Sequence, residues 1–450
     1  MTGTTYRGKN VLVLGLARSG TAALKLLLQE GALVSGADED ERIAVPPDLN
    51  GIPINRGPFT IDLLDRCDEV IVSPGISTSH SIVQEALNRG IPVLSEIELG
   101  SRFTESTIIA VTGTNGKSTT ANMIGEILKA GGCDMRVAGN VGLPFCSIVR
   151  ELDSRGFFVL EISSFQLEAV SSFHPTVAGI LNLTPDHLDR YRTEDDYYRA
   201  KMRIMENCGE DDAFFYNAED ARCVAVANHF AGKCIPFSSR RAVAGGVYCE
   251  GDKMVRLRDG HREVFLEVGE LSVVGLHNIE NALAAVASLQ FLDIPREACR
   301  KALTGFKGLP HRMEKVATMG GVTYYNDSKA TNVEGTLMSL KGLQRPVVLI
   351  AGGRDKGGDF SKLRTVLDRI RTVVTLGEAA VQISEAMGPE ISTTRASSME
   401  EAVTIAAHAA KRGDIVLLSP ACASFDMFTD FEHRGEVFKG CVRALEKAKQ

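Results

Sequence analysis

The chain has 450 residues, 44% of them hydrophobic and 24% charged, which fits a soluble globular protein too long for one core, so about two to four domains are expected. A net charge of −7 argues against a general nucleic-acid binder, whose affinity comes from cationic side chains on phosphates. Ten cysteines without Cys-x-x-Cys or metal-ligand spacing point to reduced thiols, and the chain offers no signal-peptide core and no membrane-length apolar run, so a cytoplasmic location without a membrane span is expected.

Residues 1–102 alternate short apolar strands, at 11–14, 33–37, 69–72 and 92–94, with helical stretches such as 21–30. That alternation predicts a parallel, Rossmann-like sheet with helices on both faces. The first turn, Gly15-Leu16-Ala17-Arg18-Ser19-Gly20, resembles a dinucleotide fingerprint but has Ala17 where a second Gly would admit a pyrophosphate. Asp38, at the end of the second strand, is placed either to accept a hydrogen bond from a ribose hydroxyl or to cap the next turn. Ser73 and Gly75, in Ser73-Pro74-Gly75, end a third strand on the carboxyl edge where open α/β sheets bind ligands. These residues together suggest a nucleotide-containing ligand.

Residues 103–308 form a second expected unit, carrying Val111-Thr112-Gly113-Thr114-Asn115-Gly116-Lys117-Ser118-Thr119 between a strand at 107–110 and a helix at 121–130. Gly113 and Gly116 let the backbone close around phosphate oxygens, and the helix start supplies free N–H groups and a positive dipole end. Lys117 would reach the terminal phosphates and the Ser118 hydroxyl would sit on Mg²⁺. An ordinary Gly-rich turn is the competing reading, outweighed because Gly, Lys and Ser all fall where ATP binding needs them. The common loop, G-x-x-x-x-G-K, has its first Gly where Val111 stands; here Gly113 replaces it.

Downstream, an apolar strand at 157–161 ends in Glu161, a hard oxygen ligand suited to Mg²⁺. A strand at 177–181 leads into Asn182-Leu183-Thr184-Pro185-Asp186-His187-Leu188-Asp189-Arg190, in which His187 is a candidate ligand to a second metal. On residue type alone, Lys201 reads as a solvated lysine on a charged helix. The stretch 213–274 is strand-rich, 278–292 reads as a helix, and 305–310 as a linker expected to act as a hinge. The third unit, 309–450, has strands at 322–325, 347–351, 373–376 and 415–418 between helical stretches, a second independent α/β sheet. The expected fold is therefore α/β in three domains: an N-terminal Rossmann-like sheet, a central phosphate-loop ATPase domain and a C-terminal Rossmann-like sheet.

The shortened loop Gly113-Thr114-Asn115-Gly116-Lys117-Ser118-Thr119 resembles that of the ATP-dependent amide-bond ligases, which include the Mur ligases and folylpolyglutamate synthetases. Four further motifs extend a resemblance to the Mur ligases over essentially the whole chain. They are Leu160-Glu161-Ile162-Ser163-Ser164-Phe165-Gln166-Leu167-Glu168, Gly308-Leu309-Pro310-His311-Arg312, Asn326-Asp327-Ser328-Lys329-Ala330-Thr331-Asn332 and Ser419-Pro420-Ala421-Cys422-Ala423-Ser424-Phe425-Asp426. The resemblance implies an ATP- and Mg²⁺-dependent ligase of peptidoglycan precursor synthesis, acting as a monomer, with UDP-N-acetylmuramoyl-L-alanine as acceptor and D-glutamate as incoming amine. It implies that Lys117 binds the β- and γ-phosphates, that Ser118 and Glu161 hold one Mg²⁺, and that His187 holds a second. Lys201 matches a lysine carried as a carbamate, and Asn140 a contact near the reacting carboxylate. Asn278 and Asn281 match adenine contacts, Arg312 and Asp327 ATP contacts, and Lys329 a position near the phosphates and metal. Thr331, Lys356, Ser424 and Phe431 match the D-glutamate pocket. Competing readings are a sibling ligase, a nicotinamide-dependent dehydrogenase based on the first turn, and a non-catalytic nucleotide-binding regulator.

Overall fold

The computed structural model describes residues 5–140, 142–187, 190–273, 275–292 and 294–448; Val141, Leu188, Asp189 and Val274, which fall within the motifs and elements above, lie outside them. The chain folds into two compact units, one of Met1–Leu271 with Glu280–Gly305 and one of Ser272–Ile279 with Phe306–Gln450. It passes between them near the expected linker at Gly305 and also around the short excursion Ser272–Ile279, which the sequence pattern does not announce.

The first unit holds two sheets. Strands β1 (Asn10–Leu14), β2 (Leu33–Asp38), β3 (Ile54–Arg56), β4 (Glu69–Val72) and β5 (Val93–Ser95) form a parallel sheet in the order β3-β2-β1-β4-β5. Its central strands are Val-, Leu- and Ile-rich and buried on both faces, as a helix-covered parallel sheet requires. The first turn follows β1 with Gly15 at φ +82°, and the helix Arg18–Gln29 starts three residues before the apolar pattern at 21–30. A Cβ on Gly20 would lie 1.8 Å from the Gly15 carbonyl oxygen, so only glycine lets the helix pack this close to the turn.

The second sheet contains β6 (Thr107–Thr112), β7 (Met135–Gly139), β8 (Phe157–Glu161), β9 (Val177–Ile180), β10 (Ala213–Asn217), β11 (Lys233–Ser238), β12 (Val247–Glu250), β13 (Lys253–Arg258) and β14 (His261–Glu267). Their order is β14-β13-β12-β11-β10-β9-β6-β8-β7, parallel except for the meander β12-β13-β14 at one edge. The strand-rich reading of 213–274 holds apart from the helix Ala221–Ala227, which Asp220 caps through two backbone N–H groups. Strand β6 sits between β9 and β8, with Val111 in register with both Glu161 and Gly179. The phosphate loop therefore leaves the middle of the sheet at the carboxyl edge.

The second unit holds β15 (Glu314–Met319), β16 (Val322–Asn326), β17 (Val347–Gly352), β18 (Ile370–Leu376), β19 (Thr393–Arg395) and β20 (Ile415–Leu418), in the order β15-β16-β20-β17-β18-β19. All neighbours are parallel except β15 and β16. The helix expected at 278–292 runs instead over Leu276–Ser288; Leu289, Gln290 and Leu292 donate to carbonyls three residues back, so the last turn tightens out of α geometry. Among the described residues no helix is long and apolar enough to cross a membrane.

Carboxylates tie the two sheets of the first unit together. Glu98 accepts from the backbone N–H groups of Ser171, Ser172 and Phe173 at 2.7–2.9 Å and from Arg102 at 3.0 Å. Glu96, 1% exposed, accepts from Cys146 N–H at 2.6 Å, but its Oε2 has no hydrogen-bond partner among the described residues. Burial pushes the Glu96 carboxyl up to about 7. Because this folded value exceeds the unfolded one, stability is fully present below about 4.5 and falls as pH rises through 7, by up to about 3 kcal/mol. Glu96→Gln, which mimics the neutral acid, is expected to match the wild-type Tm at pH 4–5 and to exceed it increasingly toward pH 8. Parallel Tm profiles across that range would show that Glu96 does not titrate there.

Candidate active site

The phosphate loop is built by tight glycine geometry and held from beside it. Gly113 has φ +149° and Gly116 φ +88°; a Cβ on Gly116 would lie 2.4 Å from Asn281 Oδ1. The following helix runs Lys117–Ala130, four residues longer at its start than the apolar pattern at 121–130. Its first turn, Lys-Ser-Thr-Thr, is polar, with Ser118, Thr119 and Thr120 buried. Asn115 N–H donates to Asn182 Oδ1 at 2.8 Å, and Asn182 Nδ2 donates back to the Asn115 carbonyl at 3.1 Å. Thr114 Oγ1 donates to the Thr184 carbonyl at 2.9 Å, and Thr120 Oγ1 lies 3.3 Å from Asn281 Oδ1. Asn281 thus borders the loop and helix start. Ser118 and Thr119 are buried, and Thr119 Oγ1 has no hydrogen-bond partner among the described residues.

Lys117 Nζ donates to the carbonyls of Gly113 and Thr114 at 2.8 and 2.9 Å. Lys201 Nζ donates to the same Gly113 carbonyl at 2.9 Å and lies 4.6 Å from the centroid of the Tyr197 ring. The expectation of a solvated Lys201 is therefore corrected: the side chain is 1% exposed. The helix Glu194–Met202 is charged on its outer face, but Tyr197, Tyr198, Ala200 and Lys201 turn inward. Burial and the neighbouring Lys117 charge hold the Lys201 amine well below the ordinary lysine value, against an opposing pull from Asp186 and Glu161. The two amines share one carbonyl, so their repulsion adds to burial in lowering the Lys201 value.

Glu161 is buried at the end of β8 and accepts from Asn140 Nδ2 at 3.2 Å, while its carbonyl accepts Asn140 N–H at 2.8 Å. A Cβ on Gly139 would fall 2.1 Å from that carbonyl, which brings the Gly139-Asn140 corner against the acidic strand end. His187 has φ +55° and packs edge-on against Phe165, ring centroids 4.7 Å apart. Among the described residues, no group of three or more His, Cys, Asp and Glu side chains is gathered for a metal ion.

A cavity of about 450 Å³ opens beside this centre, lined on one side by Gly15, Arg18, Asp38, Ser73 and Gly75 and on the other by Gly139 and Asn140. Arg18 donates to the Gly142 carbonyl across it. Asp38 takes the capping role: its oxygens accept from the backbone N–H of Leu16 at 2.6 Å and of Asp40 at 2.9 Å, fixing the first turn and the one after β2. Ser73 Oγ donates to the Gly15 carbonyl at 2.6 Å, so it braces the cavity wall from within.

The second unit brings its own predicted residues together. Asp327 is buried, with Oδ2 accepting from Ser339 Oγ at 2.6 Å and Ser419 Oγ at 2.8 Å, and Oδ1 from Met313 N–H at 3.2 Å. Burial raises its carboxyl value, partly offset by these donors and by the Arg312 charge. Arg312 Nε is buried without a hydrogen-bond partner among the described residues. Lys329 Nζ lies 5.5 Å from the Phe431 ring centroid, and Thr331 N–H donates to the Lys329 carbonyl at 2.9 Å. Ser424 is buried and its carbonyl accepts the N–H groups of Met427 and Phe428, whereas Lys356 is exposed. Asn278 is buried at the start of its helix.

Residue-type reasoning missed Arg434, which is 1% exposed and, among the described residues, hydrogen-bonds to carbonyls and a hydroxyl. It donates to Ser328 Oγ, the Ser328 carbonyl and the carbonyls of Cys422 and Ala423 at 2.8–3.2 Å, binding the two motif loops together. It stands in an exposed-looking Phe-Glu-His-Arg run, and only a lone Arg at a helix position facing the motif loops could have signalled it.

Comparisons with known proteins follow the same division. The family profile described as Mur ligase middle domain matches residues 111–289, that of the Mur ligase glutamate ligase domain residues 311–422, and that of the Mur ligase MurD-like N-terminal domain residues 9–95. The chain is 41% identical to the UDP-N-acetylmuramoylalanine–D-glutamate ligase of Koribacter versatilis over 448 residues, 98% of each chain. It is 42% identical to the enzyme of that name from Pelotomaculum thermopropionicum over 450 residues, 98% of this chain and 99% of the other. Among solved structures, the UDP-N-acetylmuramate–alanine ligase of Thermotoga maritima shares the fold, with a TM-score of 0.63 at 19% identity over 97% of this chain and 99% of that one. Full-length identity and a phosphate loop of the amide-ligase form agree, and the chain belongs to the Mur ligase family.

Proposed function

We propose that this protein is an ATP-dependent, ADP-forming ligase that joins D-glutamate to UDP-N-acetylmuramoyl-L-alanine in peptidoglycan precursor synthesis. The observation that carries the reading is the pairing of Lys117 and Lys201 on the Gly113 carbonyl, within a chain about 40% identical over its full length to ligases of that name. The acceptor carboxylate attacks the γ-phosphorus of ATP, forming an acyl phosphate and releasing ADP. The amine of D-glutamate then attacks the acyl carbon, a proton leaves the nitrogen, and inorganic phosphate departs as the amide forms. Charge develops on phosphoryl oxygens in the first step and on an oxyanion in the second, so fixed cations and N–H dipoles supply most of the acceleration.

In this reading Gly113, Thr114, Asn115, Gly116 and Thr119 cradle the phosphates and Lys117 neutralises the β- and γ-oxygens. Asn278 and Asn281 meet the adenine, and Arg312, Asp327 and Lys329 complete the nucleotide site. The cavity bounded by Asp38, Ser73, Gly75 and Asn140 takes the UDP-sugar acceptor, in the range 1–102 together with the edge of 103–308. Thr331, Lys356, Ser424 and Phe431, in 309–450, take D-glutamate. The donor set fits Mg²⁺: Ser118 and Glu161 offer hard oxygens, and a carbamylated Lys201 with His187 offers a second pair. Among the described residues no three ordinary metal-binding side chains gather there, so phosphate oxygens and the modified lysine would contribute to holding the ion. Mg²⁺ bound there would supply neutralising charge for the phosphates. The family's ATP dependence and these roles agree with a cytoplasmic enzyme.

The test is ADP release with UDP-N-acetylmuramoyl-L-alanine as acceptor and a panel of amino acids. Turnover with D-glutamate but not L-glutamate, L-alanine or a dibasic acid is expected. Turnover with one of the others instead would assign the chain to a sibling activity.

A further inference from the structure

Past the end of β4, the carbonyls of Pro74 and Ile76 lie beyond the sheet ladder, on the loop whose residues line the acceptor cavity. Both are fastened by one side chain: Arg190 Nη1 donates to Pro74 O at 2.8 Å and Nη2 to Ile76 O at 3.2 Å. The same guanidinium is anchored in two places on Glu168, Nε to Oε1 at 3.0 Å and Nη2 to Oε2 at 2.6 Å, and stacks 4.1 Å from the Phe165 ring centroid. Arg190 and Glu168 side chains are 13% and 9% exposed, so the pair works largely out of water. Glu168 is held in turn by Tyr191 Oη at 2.6 Å and by Thr78 Oγ1, from the cavity loop itself, at 3.2 Å. Phe165 also carries the edge-on His187 ring. One planar fork therefore touches the loop of the acceptor cavity, the segment that follows Glu161, and the ring on which His187 rests.

We infer that Arg190 is a positioning residue for the ligase reaction: with Glu168 it sets the Ser73–Ile76 loop in register with the phosphate-loop side of the centre, so that the acceptor's carboxylate is aimed at the γ-phosphate. The inference rests on the function proposed above. It needs the fork and not merely a positive charge, because the contacts to Glu168 and the two carbonyls come from three nitrogens of one rigid plane, a spread that the single nitrogen of a lysine does not reproduce. Among the described residues the guanidinium meets backbone carbonyls, a carboxylate and a ring and is not part of the cavity lining, so its effect reaches substrate through the loop.

Arg190→Lys and Glu168→Gln in the full chain test this by steady-state kinetics with each substrate varied in turn. Displacing the loop by a fraction of an ångström to an ångström is expected to raise KM for the acceptor and lower kcat, together cutting kcat/KM for the acceptor by roughly 100-fold. KM for ATP and for D-glutamate is expected to stay within about twofold, and ADP to raise Tm as in the wild type. A double variant should lose little beyond either single one, since both break the same device. Should Arg190→Lys not fold, Glu168→Gln, which keeps the side-chain volume, carries the same expectation. An unchanged acceptor KM and kcat in a wild-type background that turns over overturns this inference alone. A proportional rise in all three KM values with a lowered Tm overturns it as well, by showing a general loosening. A wild-type chain that does not use this acceptor overturns the functional reading and the inference with it.

Discussion

Lys117→Ala is expected to lower kcat for D-glutamate-dependent ADP release by at least about a thousandfold while leaving the chain folded. The ammonium donates to the Gly113 and Thr114 carbonyls of its own loop, 2.8 and 2.9 Å away, and in the proposed function it neutralises the phosphates held by that loop. In that position it can exchange carbonyl oxygens for β- and γ-phosphate oxygens without moving its backbone. Losing one preorganised donor at a site of developing charge costs about 3–4 kcal/mol of transition-state stabilisation, and a full charge at the transferring group costs no less. The structural loss is small by comparison, because Lys117 is only half-buried and each of its two hydrogen bonds contributes about 1 kcal/mol net. A Tm within a few degrees of wild type together with inactive enzyme is the expected pair of results, read by calorimetry and by coupled ADP release. Activity within tenfold of wild type would remove the phosphate loop from the chemistry.

What the sequence made legible divides along the line between local and tertiary physics. The phosphate loop could be read because its chemistry lies within nine consecutive residues, from Val111 to Thr119, and the glycine positions are dictated by the turn itself. Its helix begins at Lys117 and not at 121 because hydrophobic periodicity is blind to a first turn made of Lys, Ser and Thr side chains. Lys201 was misread for the opposite reason. A helix bearing Glu194, Asp195, Asp196 and Arg199 looks solvated, and only the packing of Tyr197 and Tyr198 shows that one of its charges points inward. Asp38 offered two readings that no local pattern separates, and the close approach of Leu16 N–H, 22 positions earlier in the chain, decides for the cap. Arg434 and Arg190 act on carbonyls about ten to more than a hundred positions away, a partnership that carries no residue-type signature. The passage of Ser272–Ile279 into the second unit was hidden because its helix continues unbroken through Ser288.

Lys201→Ala is expected to cut turnover by at least about a hundredfold, and a short-chain carboxylate such as formate or acetate in the buffer is expected to restore part of it. A carbamate forms when the neutral amine adds to CO₂ and releases a proton, turning a cationic side chain into an anionic one. The neutral amine is what this environment favours: the side chain is 1% exposed and shares the Gly113 carbonyl with Lys117, whose charge adds to the effect of burial. Removing the side chain leaves room for a small carboxylate to supply the missing anion, so rescue should occur in Lys201→Ala. It should not occur in Lys201→Arg, where a permanent cation fills the space, nor in Lys117→Ala, where the lost group is positive. The same shift fixes the sign of a stability measurement. A lysine whose folded value lies below its unfolded value of 10.5 destabilises the native state most at low pH, and that penalty shrinks as pH rises toward 10.5. In CO₂-free buffer, Lys201→Met should therefore melt higher than the wild type at pH 7 and lose that advantage steadily toward pH 10. A constant Tm difference across that range, or rescue by carboxylate in Lys201→Arg, would mean that the buried amine is an ordinary structural cation and that its charge is never reversed.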